Sequence, residues 1–127
     1  MNKMKLKNLL FITPALILIL VSCASSMSPM EVSNTLPTLT ESSFLNQTQA
    51  REAIKNNKCK LLVKERNYVA PIGFTVKDDL KNGAKGIDEW VKMDGGNTYV
   101  LINYKWVTVD DSGSTQLHID FDTMLCE

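Results

Sequence analysis

Between residues 75 and 93, Leu80, Ala84, Ile87 and Val91 recur at steps of four, three and four. That spacing places them on one stripe of an α-helix. Thr75 stands where a capping residue belongs, three before Asp78, and Asp78 and Asp79 sit at the positive end of the helix dipole. Gly95-Gly96 supplies a left-handed stop. The pattern predicts a helix over 75–93. Elsewhere the period is two. Cys59, Leu61 and Val63 alternate with Lys60, Leu62 and Lys64, with only Leu62 out of step, which predicts a strand over 59–69. Pro71 and Gly73 then turn the chain. Val100, Ile102, Tyr104 and Trp106 alternate with Tyr99, Leu101, Asn103 and Lys105 in a long strand over 97–109. Asp110-Asp111-Ser112-Gly113 makes a hairpin turn. Over 115–121, Leu117, Ile119 and Phe121 alternate with Gln116, His118 and Asp120. A shorter helix is predicted over 47–57, with Thr48 as cap, Ala50, Ala53 and Ile54 on one face, and Asn56-Asn57 as its end. Strand, helix, strand, strand is an α+β fold: a small antiparallel sheet with one main helix packed on one face.

One apolar stripe covers one face of a sheet. Val100, Ile102, Tyr104 and Trp106 are assigned to the face beneath the main helix. The opposite face then carries Tyr99, Leu101 and Leu62, more apolar area than a small monomer usually leaves together. Two covers are open: the short helix, or another protein. Gly83 and Gly86 interrupt the helical pattern at a cost of about 1 kcal/mol each against alanine. Their place beside Ala84 points to close approach of helix and sheet. A phosphate-cradling loop does not fit, because no Lys-Ser/Thr follows them.

The first two dozen residues follow another pattern. Lys3, Lys5 and Lys7 lead into an apolar run over 9–21, broken only by Thr13 and Pro14, and the run ends in Leu20-Val21-Ser22-Cys23. A membrane span needs roughly 20 apolar residues. This run is shorter, carries a proline and lies behind lysines, the form of an export signal. The whole resembles a bacterial lipoprotein signal. The resemblance implies cleavage before Cys23 and lipidation of that residue. Several acyl chains, palmitate among them, would make a stable anchor where one holds only marginally. Ala24 follows Cys23 where an aspartate would favour inner-membrane retention. The expected location is therefore the outer membrane, with the domain facing the periplasm or the cell surface. Beyond Cys23, serine, threonine and proline dominate and no period of 2 or 3.6 appears, which reads as a flexible tether. The division is a signal peptide over 1–22, a tether over 23–47 and one α+β lipoprotein domain over 48–127.

Charge narrows the function classes. The full chain has 14 basic and 14 acidic side chains, and the first 22 residues hold three lysines and no acids. The mature chain then carries 11 basic and 14 acidic groups, a formal net charge of −3. That gives no electrostatic case for nucleic acid. With Cys23 lipidated, Cys59 and Cys126 remain, and in an oxidising compartment two leftover thiols pair. A redox or metal pair is the alternative, but zinc wants about four ligands. His118 is the one histidine, and the two cysteines lie at opposite ends of the domain.

Catalytic constellations are sparse. No Gly-x-Ser-x-Gly occurs, and His118 and Asp120 share a strand face where ordinary wet-side residues stand. Asp120, Asp122 and Glu127 suggest at most weak cation binding, since calcium wants six or more oxygens with turn-supplied carbonyls. Trp90, Tyr99, Tyr104 and Trp106 have no basic groove beside them and read as core. The expectation is no catalytic residue, no metal, no cofactor and no small-molecule substrate.

Taken together, a cysteine opening a strand, an Asp-Asp-Leu-Lys-Asn helix start, Gly95-Gly96-Asn97-Thr98 before an apolar strand and a cysteine near the C-terminus resemble a family of small bacterial outer-membrane lipoproteins of uncharacterised function. More distantly they resemble the envelope-stress sensor lipoproteins of the Rcs phosphorelay. The resemblance spans residues 59–126. It implies a disulfide-stabilised α+β domain that acts by contacting other envelope proteins. The Rcs sensors carry four cysteines in the folded domain and a basic, proline-rich tether; here there are two cysteines and a neutral tether. The expected function is a non-catalytic, membrane-anchored module that binds a protein or signals envelope stress. The alternative is a structural lipoprotein that supports envelope integrity without a regulated partner.

Overall fold

The computed structural model describes residues 29–127. Its elements are α1 (Pro29–Leu39), β1 (Ser43–Leu45), α2 (Gln47–Lys55), β2 (Cys59–Val69), α3 (Val76–Met93), β3 (Thr98–Thr108) and β4 (Thr115–Cys126). The strands form one four-stranded sheet in the order β1-β3-β4-β2. β3, β4 and β2 are antiparallel neighbours, as expected, while the short β1 runs parallel to β3 and makes the sheet mixed. The fold class is α+β, with α3 across one face and the Cys59–Cys126 disulfide closing the sheet.

α3 begins and ends as its sequence dictates. Thr75 is the N-cap and accepts a hydrogen bond from the Asp78 N–H at 3.2 Å. At the other end Gly95 takes φ +78°, Gly96 N–H donates to Val91 O and Gly95 N–H donates to Lys92 O. Those two bonds are a Schellman closure. Leu80, Ala84, Ile87 and Val91 are buried against Leu117, Ile119 and Phe121 of β4. The two glycines permit this approach: a Cβ at Gly83 would stand 2.7 Å from Ile119 Cδ1, and one at Gly86 would overlap the Tyr68 ring. α2 is capped by Asn46 rather than Thr48. The Asn46 carboxamide accepts from Gln49 N–H, and the Gln49 side chain accepts from Asn46 N–H. Asn57, at φ 58°, ends it.

Two expectations need correction. The first concerns the tether. Residues 29–39 form α1, and Val32 and Leu36 are fully buried in the same core as Leu80 and Ile87. Val32, Leu36 and Leu39 do recur at four and three, a stripe masked by serine, threonine and proline around it. Burying a valine and a leucine stabilises by about 1.5–3 kcal/mol each, which offsets part of the entropy of ordering the segment. Pro37 is accommodated near the C-terminal end of α1, where Thr38 Oγ1 donates to Thr35 O at 2.6 Å. The folded domain therefore begins well before residue 48.

The second concerns faces. Tyr99 and Leu101 pack under α3, while Val100 joins Ala50 and Met124 on the opposite face. A register shift between Leu101 and Asn103 inserts one extra residue in β3. One insertion reverses the parity of everything beyond it. Tyr104 and Trp106 therefore return to the α3 face, and Ile102 stays on the other side, exposed. β2 carries two further shifts, which cancel in parity: Cys59 and Leu61 pack with Val100 and Met124, and Tyr68 packs under α3, the side that uninterrupted alternation from Cys59 gives it.

Of the two covers left open, the short helix is the one observed. α2 lies over the opposite face and buries Ala50 against Val100 and Met124, so that cover is internal. It is also short, and the sheet beyond it is open.

Candidate functional site

Cys23, the expected lipidation residue, lies outside the described residues. Cys59 and Cys126 are bonded. They face each other in register across β2 and β4 with Cα atoms 4.1 Å apart. Glu127 N–H donates to Lys58 O just beyond them, which makes this a non-hydrogen-bonded pair, where side chains of facing strands approach most closely.

His118, Asp120 and Asp122 all lie on the open face of β4, where alternation puts them. They do not converge on a common centre. Asp120 Oδ1 accepts from Asn67 Nδ2 at 2.6 Å, and Asp122 Oδ1 accepts from Glu65 N–H at 2.8 Å. Glu65 is held at φ 56° in the irregular stretch of β2, so the Asp122 carboxylate serves as a brace for that bulge. Among the described residues, no group of three or more His, Cys, Asp or Glu side chains is arranged to hold a metal ion. Among the same residues, no helix is long and apolar enough to cross a membrane.

Local pattern does not reveal the polar cluster beneath the C-terminal end of α3. Asp94 caps that helix, so its carboxylate stands at the negative end of the dipole, an unfavourable place for an anion. Arg66 offsets this. Its Nε donates to Asp94 Oδ2 at 3.1 Å, its Nη2 forms the ion pair with Oδ1, and its guanidinium lies 4.1 Å from the centre of the Trp90 ring. Thr123 Oγ1 adds a bond to Asp94 Oδ2 at 2.8 Å. Arg66 holds the Asp94 carboxyl below the usual carboxylate range against the opposing effect of burial, and Thr123 adds to it. In the sequence Arg66 sits within Lys-Glu-Arg-Asn and reads as a wet residue; its register opposite Phe121 puts it on the α3 face, beside Asp94. A second anchor is Asp88, which accepts the N–H groups of Glu41 and Ser42, each at 2.9 Å, and fixes the α1–β1 connection to α3. Both clusters are saturated by their own partners and are structural.

The arrangement that is not saturated is a groove of about 420 Å³ along α2 on the open sheet face. Val100 and Met124 form its floor. Ile54 of α2 and Ile102 at the β3 bulge stand exposed on its sides, and Arg51, Lys64 and Asp122 are placed around it. An apolar floor with charged residues of both signs around it suits a peptide or protein surface better than a small polar substrate. A larger cleft of about 540 Å³ between α1 and α3 is walled by the exposed side chains of Lys81, Lys85, Glu89 and Lys92, and is a gap between solvated chains. The β3 bulge that exposes Ile102 gives no local sign in a strand that alternates cleanly. No family model, no curated protein and no solved structure matches this chain.

Proposed function

We propose that this chain is a non-catalytic lipoprotein of the bacterial outer membrane, anchored through lipid on Cys23, whose domain holds another envelope protein in the groove beside α2. The observation that carries the binding reading is the apolar floor of Val100 and Met124 with Ile54 and Ile102 exposed beside it. α2 is too short to cover that face completely, and contiguous exposed apolar surface rimmed by polar residues marks protein contacts. Anchoring is supported by the order of Lys3, Lys5 and Lys7, the apolar run and Leu20-Val21-Ser22-Cys23. The resemblance to outer-membrane lipoproteins and, distantly, to Rcs envelope-stress sensors points the same way.

Anchoring is tested by Cys23→Ala, which should abolish lipid labelling and leave the precursor uncleaved. Continued maturation and membrane fractionation would overturn it. Docking is tested with a photo-crosslinking side chain at position 102 in intact envelopes. The expected result is one discrete adduct that Ile54→Asp removes while the domain's melting temperature is kept. Absence of any adduct at 102, with the protein folded and in place, would favour the structural-lipoprotein reading.

A further inference from the structure

The groove is not the only place where the surface is apolar. The loop over 70–75, between β2 and α3, carries Ile72 at 51 % exposure and Phe74 at 103 %, so the phenylalanine ring is in full contact with solvent. The loop is not a frayed segment. Gly73 N–H donates to Asp79 Oδ1 at 2.6 Å, and the Asp79 side chain is buried. Asn82 Nδ2 donates to Pro71 O at 3.0 Å, and Thr75 caps α3 immediately after Phe74. The loop is tied down on both sides of the ring it presents. Val109, at the neighbouring β3–β4 turn, is exposed at the same end of the sheet, because Ala70 N–H pairs with Leu117 O there.

That end is also where the chain arrives from Cys23. α1 lies beside α3 and runs in the same direction: Leu36 Cδ1 is 4.0 Å from a Cβ placed at Gly83, and the Glu41 and Ser42 N–H groups reach Asp88. Seven residues before Leu36 is Pro29, the first residue of α1, and seven before Gly83 is Val76, the first of α3. At 1.5 Å per residue both helices begin about 10 Å from the Leu36–Gly83 contact, at the Phe74 end. Cys23 lies six residues before Pro29. Six residues reach at most about 20 Å when extended. The lipid on Cys23 is therefore confined to the end of the domain that carries Ile72 and Phe74.

We propose that the Ile72–Phe74 loop dips into the bilayer that holds the Cys23 lipid, and so fixes how the domain stands on the membrane. The proposal rests on the lipoprotein reading. Its chemistry is apolar. The neighbouring Lys77 and Lys81 are countered by Asp78, Asp110 and Asp111, so this end has no net basic patch to seek anionic headgroups. Phenylalanine and isoleucine suit the headgroup–acyl boundary. A loop too small to bind a membrane alone inserts readily once the anchor has made the contact intramolecular. The orientation has a consequence for the groove. The ladder of β2 spans 11 residues, about 35 Å, from the loop end to the Cys59–Cys126 end, and α2 lies towards the latter. Insertion of the loop turns α2 and its groove away from the bilayer.

The test uses the full-length protein, purified after maturation and placed in vesicles of phosphatidylethanolamine and phosphatidylglycerol. With Cys59 and Cys126 bonded and Cys23 acylated, Phe74→Cys offers one reactive thiol for an environment-sensitive fluorophore. Lys55→Cys on α2 is the far-end control. Both positions are exposed, and an unchanged melting temperature confirms the fold. The label at 74 should shift to the blue and lose most of its emission to a lipid-borne quencher, unaffected by added salt, while the label at 55 responds to an aqueous quencher alone. Equal behaviour at 74 and 55, or access to 74 only from water, would overturn the proposal. Shielding of 74 from both quenchers, seen in native envelopes but not in lipid vesicles, would assign the loop to a protein partner instead. The mass of the N-terminal peptide reads acylation separately: if the acyl chains are missing, the anchoring reading falls and this inference with it; if they are present and 74 stays in water, only this inference falls.

Discussion

Truncating Leu36 to alanine asks whether α1 belongs to the folded unit. Leu36 is fully buried among core residues of α3 and β4, where it approaches Gly83. Large-to-small changes of this kind cost about 2–5 kcal/mol, because the site loses both the transfer free energy of the side chain and the contacts around the cavity it leaves. α1 is a peripheral helix and can shift inward to fill part of that cavity, so a value near the low end, about 3 kcal/mol, is expected. For a domain of roughly a hundred residues, each kcal/mol moves the melting temperature by about 4–8 °C, which gives a fall of roughly 12–24 °C. Circular dichroism or calorimetry on oxidised protein measures it directly. Asn34→Ala, on the exposed side of the same helix, is the control and should stay within about 0.5 kcal/mol of the parent. If Leu36→Ala behaves like Asn34→Ala, residues 29–39 do not pack as α1. The folded domain then begins near β1, and Cys23 is not held at the Phe74 end.

The Arg66–Asp94 cluster gives a pH dependence with a definite sign. Asp94 is held below the ordinary carboxylate range by Arg66, so its contribution is fully present above about pH 4 and is lost as pH falls through its depressed value. Acid titration of stability should show that loss in the parent and not in Asp94→Asn, and Arg66→Lys should not restore it, since lysine lacks the fork that binds Asp94 at two points. Gly86→Ala should destabilise by about 1–3 kcal/mol in thermal melts despite the better helix propensity of alanine, because the new methyl group overlaps the Tyr68 ring. Reducing Cys59–Cys126 opens a loop with a sequence separation of 67 residues and should lower stability by about 4 kcal/mol on the chain-entropy model, while mass spectrometry of an unreduced digest should show the two cysteines in one linked fragment.

Local signals of high specificity were legible without coordinates. Helix α3 and its two ends follow from period and capping chemistry, because those are interactions between residues three to five apart. The hairpin of β3 and β4 follows from strict alternation around Asp110-Asp111-Ser112-Gly113. The pairing of Cys59 with Cys126 follows from elimination. The close approach of α3 to the sheet was legible at Gly83 and Gly86, since only a missing side chain accounts for glycine in that stripe.

What tertiary structure alone decided is which face each strand residue occupies and where the domain starts. Alternation states that neighbours point to opposite sides, but a bulge reverses that order from one residue onward, and bulges arise from the fit between two strands distant in sequence. Val100 and Ile102 therefore face α2 and solvent, whereas Tyr104 and Trp106 lie under α3. α1 is the same lesson in a helix: its stripe of Val32, Leu36 and Leu39 is too thin to order a segment rich in serine, threonine and proline by itself. It becomes a helix because the surface of α3 and β4 offers apolar area to bury, and that surface exists only once the rest of the chain has folded.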